Sequence, residues 1–215
     1  LIVAAGSGQR LGAGGPKALV ELAGRPMYEW SLEACLAADL VGEVIIAIPP
    51  GSSGDFPEAE AILVDGGQAR SHSVAAGLEL VKTEFVLVHD AARPLVTPDL
   101  IDRSIMALDS SPEVDAVIAA APVTDTIKSV DADGQVTGTV DRDGLRSIQT
   151  PQVFRVEALK KAIASGDLES ATDDAFLIES AGGRVKVLDA PASNMKVTVR
   201  ADLATAELLL SRASG

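Results

Sequence analysis

The sequence predicts an α/β fold: a doubly wound, mostly parallel sheet with helices on both faces and with a protruding β-hairpin arm. Its basic plan rests on three observations. Short, β-branched apolar runs alternate with segments of helical periodicity along the chain, as expected of parallel strands joined by crossover helices. A glycine-dense loop, AAGSGQRLGAGGPK, follows the first apolar run, where open sheets of this kind bind ligands. At 215 residues, 47% hydrophobic and 23% charged, the chain can bury a core without disulfide or metal staples. One domain spanning 1–215 is expected.

LIVAA, residues 1–5, reads as the first strand; because it opens inside an apolar run without a methionine, further strand residues are expected before Leu1. PMYEWSLEACLAAD (26–39) has helical spacing, VIIAI (44–48) and AILVD (61–65) are strands, and SHSVAAGLELV (71–81) is a helix. FVLVHD (85–90) is a strand, PDLIDRSIMALDS (98–110) a helix, and DAVIAAAPV (115–123) a buried strand. Helices at 156–165 and 172–182, a strand at 184–190 and a helix at 201–213 complete the alternation.

One segment interrupts it. TDTIKSVDADGQVTGTVDRDGL, about 124–145, places two polar, β-leaning halves around Asp133-Gly134, a hairpin signal. Ile127, Val130, Val136 and Val140 are too little apolar material for independent stability. The arm is therefore expected on another surface, with a second subunit the natural candidate.

Asp and Glu number 31 against 18 Lys and Arg, so the net charge of -13 opposes nucleic acid and anionic membrane. A polyanionic ligand such as a nucleotide then needs local cations and a divalent metal. Cys35 stands alone in an apolar helical stretch and reads as a buried small hydrophobe. No apolar run reaches the ~18–20 residues of a membrane span, and no basic region precedes the first one. A cytoplasmic protein is expected.

Segments with chemical potential fall at expected strand ends. Gly6, Gly8, Gly12, Gly14 and Gly15 would let backbone N–H groups wrap phosphate oxygens, with Arg10 and Lys17 supplying positive charge. The dinucleotide fingerprint aligns at Gly6 and Gly8 but meets Leu11 where the third glycine belongs; the Walker pattern fails because Pro16 precedes Lys17. A phosphate loop and a plain surface loop both remain open on these grounds. In HDAARP, Asp90 at a strand end suits Mg²⁺ or a helix cap, while His89 and His72 lack metal-ligand spacing and read as packing or hydrogen-bonding residues. In DGGQARSHS, the glycines would admit a base or ribose and Ser73 would donate to a hydroxyl, or the segment is a glycine turn with a serine cap. In SNMKVT, Lys196 taken alone is a solvated cation.

Together, AAGSGQR and GPK, DGGQARSHSV, VHDAARP, APVTDTIK, TVDRDGL, TPQVF, ATDDA and NMKVT resemble the methylerythritol phosphate cytidylyltransferases of the non-mevalonate isoprenoid pathway, over nearly the whole chain. The resemblance implies a Rossmann-like nucleotidyltransferase fold in which Ala4, Ala5, Gly6 and Gly8 line the nucleotide, and Arg10 and Lys17 bind its phosphates and stabilise the transition state. It assigns cytosine and ribose to Gly67 and Ser73, and Mg²⁺ or another divalent cation to Asp90. It assigns methylerythritol phosphate to Thr126, Arg142, Thr150, Thr172 and Lys196, with Lys196 also catalytic and with Thr126 and Arg142 acting across a homodimer. Gln68, Met195 and Arg200 depart from the family pattern, Arg200 standing where a proline usually begins the last helix.

The implied reaction joins CTP and methylerythritol phosphate with release of pyrophosphate. Its near rivals are a ribitol phosphate cytidylyltransferase or a sugar phosphate nucleotidyltransferase using another base. Other classes are an NAD-binding oxidoreductase and a non-catalytic nucleotide-binding regulator. The oxidoreductase is disfavoured by the misplaced third glycine and by the lack of an acidic strand end ~20 residues on, Asp39 lying in a helical stretch.

Overall fold

A computed structural model describes residues 1–8, 11–12, 14–56, 60–169 and 171–213. In chain order the first half contains β1 (Ile2–Val3), β2 (Glu21–Leu22), β3 (Arg25–Pro26), α1 (Met27–Leu36), β4 (Ile45–Ile48), β5 (Ile62–Asp65), α2 (Arg70–Leu78), β6 (Phe85–Asp90) and α3 (Pro98–Asp109). The second half contains β7 (Ala116–Pro122), β8 (Ile127–Val130), β9 (Val136–Val140), β10 (Arg146–Arg155), α4 (Val156–Ser165), α5 (Asp174–Ser180), β11 (Val185–Asp189) and α6 (Arg200–Ala213).

The apolar runs join in a seven-stranded sheet ordered β11-β7-β10-β6-β1-β4-β5. β1 pairs in parallel with β4 and β6, β4 with β5, and β7 with β11. Only β10 is reversed, antiparallel to both β6 and β7. The pleat sorts alternate side chains onto opposite faces. Ile46 and Ile48 pack with Leu32 of α1 and Leu100 and Ile101 of α3. Ile45 and Ala47 pack on the other side with Val74 of α2, Leu159 of α4 and Ile178 of α5. Each large apolar side chain fully buried this way contributes roughly 1.5–3 kcal/mol.

Helix starts follow local chemistry. The Thr97 side chain accepts from the Leu100 N–H at 3.2 Å with Pro98 in the first turn of α3, and Asp173 accepts from the Phe176 N–H at 2.9 Å to begin α5.

The main differences from the sequence reading lie in strands. β1 is shorter than the apolar run that contains it. β10 was not expected: RSIQTPQVFR mixes polar and apolar residues around Pro151, which cannot donate to a ladder. The sheet accommodates it at a register shift between Ile148 and Gln152. The β2–β3 ribbon is also new, its two-residue turn having Ala23 and Gly24 at φ 50° and 83°. α6 packs through Ala206 and Leu210 against Leu22 of this ribbon and Met27 of α1.

The expected arm is a separate two-stranded sheet of β8 and β9, and no residue from 127 to 140 is buried. Val130 and Val136 are 58% and 61% exposed, as foreseen for a hairpin without its own core.

Candidate functional site

A cleft of about 670 Å³ opens at the carboxyl ends of β1, β5 and β6, a size within the ~300–1,000 Å³ usual for small-molecule sites. Its walls come from the glycine loop, the turn before α2, the end of β6 and the segment from Lys196 to Thr198.

The glycine loop is folded back on itself. The Lys17 N–H donates to the Gly6 carbonyl at 2.9 Å, and the Leu11 N–H to the Gly8 carbonyl at 2.9 Å. Gly8 lies at φ +68°, and a Cβ there would stand 2.8 Å from the Gly15 carbonyl oxygen, so glycine is required. Pro16 leads into a one-turn 3₁₀ helix, Lys17–Leu19, and Lys17 lines the cleft with Ala4, Ala5, Gly6 and Gly8. Arg10 lies outside the described residues.

Opposite, the Gly67 N–H donates to the Ser73 hydroxyl oxygen at 3.1 Å, and that hydroxyl reaches the Ala69 carbonyl at 3.3 Å. Both residues line the cleft, yet the Ser73 hydroxyl is engaged in shaping the turn. A Cβ on Gly67 would fall 2.3 Å from the His72 Cβ.

At the floor, Asp90 is 7% exposed. Its two carboxylate oxygens accept from Arg70 Nε at 2.8 Å and Lys196 Nζ at 2.6 Å, while Arg70 Nη1 donates to Asp174 at 2.5 Å. Burial alone would raise the Asp90 carboxyl; the Arg70 and Lys196 charges overcome it and hold the group well below the usual carboxylate range. Burial raises Asp174, with Arg70 opposing. Two cations and two carboxylates thus form a neutral chain.

Arg70 was missed as a site residue, although it is the only Lys or Arg in DGGQARSHS. It opens α2, where the helix dipole disfavours a cation, so its position depends on the acidic partners. Arg93 and Asn194 were missed as well. The Arg93 guanidinium donates to the carbonyls of Asn194 at 2.9 Å and Ile148 at 3.2 Å, and the Asn194 amide donates to Gln149 and the Thr150 carbonyl, both at 2.8 Å. Together they fasten the segment carrying Lys196 to β10 and the end of β6.

Thr150, assigned to the acceptor by resemblance, is buried behind the cleft. Its hydroxyl accepts from the Asp90 N–H at 3.0 Å and meets His89 Nδ1 at 3.0 Å. His89 Nε2 faces the Arg93 carbonyl at 3.2 Å; a carbonyl only accepts, so Nε2 carries the proton and Nδ1 accepts from Thr150. Burial pushes the His89 imidazole down to about 4. The Thr150 hydroxyl is therefore committed to holding the Asp90 backbone. Thr172 is exposed two residues before Asp174, and Thr126 and Arg142 are exposed on the arm, where Arg142 donates to the Thr124 carbonyl. None of these four residues lines the cleft of its own chain.

Among the described residues no group of three His, Cys, Asp or Glu side chains could enclose a metal. Among these residues Asp90 is also the one carboxylate lining the cleft. A single hard oxygen donor suits Mg²⁺, which keeps waters and takes substrate phosphates.

Comparison with known proteins identifies the family. A family model described as "IspD: 2-C-methyl-D-erythritol 4-phosphate cytidylyltransferase" matches residues 1–212. A protein of that name from Synechocystis sp. is 42% identical, with 100% of this chain and 97% of that one covered. Another from Parasynechococcus marenigrum is 45% identical, covering 98% and 96%. The crystal structure of the Thermus thermophilus 2-C-methyl-D-erythritol 4-phosphate cytidylyltransferase superposes with a TM-score of 0.81 at 34% identity, covering 97% and 96%. That of a 4-diphosphocytidyl-2C-methyl-D-erythritol synthase from Anaerococcus prevotii gives 0.83 at 29%, covering 98% and 94%. With an α/β sheet, a glycine-loop cleft and a whole-chain match in agreement, the chain belongs to the IspD family of 2-C-methyl-D-erythritol 4-phosphate cytidylyltransferases.

Proposed function

We propose that this protein joins CTP to 2-C-methyl-D-erythritol 4-phosphate, forming 4-diphosphocytidyl-2-C-methyl-D-erythritol and pyrophosphate. The observation that carries the proposal is the single cleft in which a glycine loop with Lys17 faces the Asp90–Lys196 pair. An oxygen of the acceptor phosphate attacks the α-phosphorus in line; that P–O bond forms as the bond to pyrophosphate breaks. The nucleophile is already anionic, so no general base is needed, and the barrier is set by positioning and repulsion. At 4 Å, each unit-charge contact in a partly buried site amounts to roughly 4 kcal/mol at an effective dielectric of 20. Lys17 and Lys196, with Arg10 from the same loop, supply such contacts.

Gly67 and its neighbours offer a close backbone approach for base and ribose. Mg²⁺, held by Asp90 together with the triphosphate, would neutralise charge as the phosphates approach. We further propose a homodimer in which Thr126 and Arg142 of the arm complete the acceptor site of the second subunit; the bare surface of β8 and β9 supports this. Among the described residues no helix is long and apolar enough to cross a membrane, and a CTP-consuming enzyme of this kind belongs in the cytoplasm.

Pyrophosphate release is to be measured with CTP, UTP, GTP and ATP, each crossed with methylerythritol phosphate and ribitol phosphate. Turnover confined to CTP and methylerythritol phosphate is expected, with Lys17→Ala folded but nearly inactive. Preference for ribitol phosphate or another nucleotide would overturn the assignment, and a near-normal Lys17→Ala rate would remove Lys17 from the mechanism.

A further inference from the structure

The glycine loop is anchored from outside the cleft. Arg200, the first residue of α6, donates from Nε to the Leu11 carbonyl at 3.2 Å and from Nη2 to the Gly12 carbonyl at 3.4 Å. The Leu11 side chain, 3% exposed, is buried in the same cluster as Val197, Ala206 and Leu210. The bend at 11–12 is therefore docked on α6 by an apolar contact and by a forked donor.

The post to which it is docked is itself fixed. Asp202 accepts from the N–H groups of Thr198 and Val199 at 2.6 and 2.9 Å, and the Val197 N–H donates to the Ala92 carbonyl at 2.8 Å. This segment also carries Lys196 and Thr198 into the cleft. Arg200 thus ties the glycine-loop wall of the cavity to the segment that carries Lys196.

We propose that Arg200 is a positioning residue for nucleotide binding: it holds the 11–12 bend against α6, so that the loop is already shaped for a triphosphate. Without the fork, nucleotide binding must order the loop, and that cost appears as weaker CTP binding. The inference rests on reading the glycine loop as the nucleotide site; it adds a residue that touches the loop from behind.

Arg200→Ala and Arg200→Lys are compared with wild type by steady-state kinetics and by hydrogen exchange of the ligand-free protein. For Arg200→Ala, the KM for CTP rises about tenfold, equivalent to ~1.4 kcal/mol, while kcat and the KM for the acceptor stay within about twofold of wild type. Arg200→Lys recovers part of the loss, because one donor remains. The Leu11 and Lys17 amides exchange faster in Arg200→Ala, and saturating CTP restores their protection. Unchanged CTP KM and unchanged exchange would overturn the proposal. So would equal rises in both KM values with a lowered melting temperature, which would mark a general defect of α6. If wild type itself failed to turn over CTP, the proposed function would fall, while exchange of the ligand-free loop would still decide the role of Arg200 in holding it.

Discussion

Asp90 shows how much of a site depends on residues behind it. Its carboxylate is held by Arg70 and Lys196 and its backbone by the Thr150 hydroxyl, which is in turn oriented by His89. Asp90 and Lys17 stood out in the sequence because a charge at a strand end or beside glycines is locally conspicuous, whereas Lys196, a solvated cation when taken alone, was reached only through the family resemblance. Arg70, Arg93 and Asn194 were overlooked because their partners lie 20 to 104 residues away, a separation local pattern does not encode. Gly67 offers a test at this scale. With 2.3 Å between an added Cβ and the His72 Cβ, Gly67→Ala forces the turn to move, at a cost of about 1–3 kcal/mol. Urea unfolding should show that loss, and CTP titration should show weaker binding; wild-type values for both would mean the turn yields freely.

At the scale of elements, parallel strands with uniform apolar character were readable, since β4, β6 and β7 are buried on both faces. β10 was obscured because its residues serve several roles: Val153 and Phe154 enter the core, while Gln149 and Thr150 bond to the Asn194 segment and Asp90. The arm reads in the sequence as a hairpin in want of another surface, with a second subunit the natural candidate, and the hairpin is present as a separate two-stranded sheet. Val130 and Val136 project from it without serving the core. If the proposed dimer forms through the arm, the wild type should sediment as a dimer at micromolar concentration, and the double variant Val130→Asp with Val136→Asp should fold normally and sediment as a monomer. A monomeric wild type, or a variant that still pairs, would remove the arm from assembly.

For the whole molecule, a charge of -13 surrounds a cleft that, among the described residues, is lined by three cations, Lys17, Arg70 and Lys196, and by one carboxylate, Asp90. The core adds a pH response. Burial pushes the Cys35 thiol up to about 11 from 9.0, so the unfolded chain releases its proton first. The contribution to stability is complete below pH 9 and declines as pH rises through 9 to 11, by about 3 kcal/mol in full. Urea midpoints should therefore converge between wild type and Cys35→Ala as pH increases from 8.5 to 11; a constant gap would contradict this linkage. The reversal of β10 has a broader effect on the molecular plan. It brings Arg146 back beside Pro122, turning what would have been a helical crossover into an open-ended excursion beyond the sheet. Its tip could be shortened, extended or exchanged while the seven strands kept their register, leaving specificity and assembly free to diversify at an address where the catalytic floor need not be rebuilt.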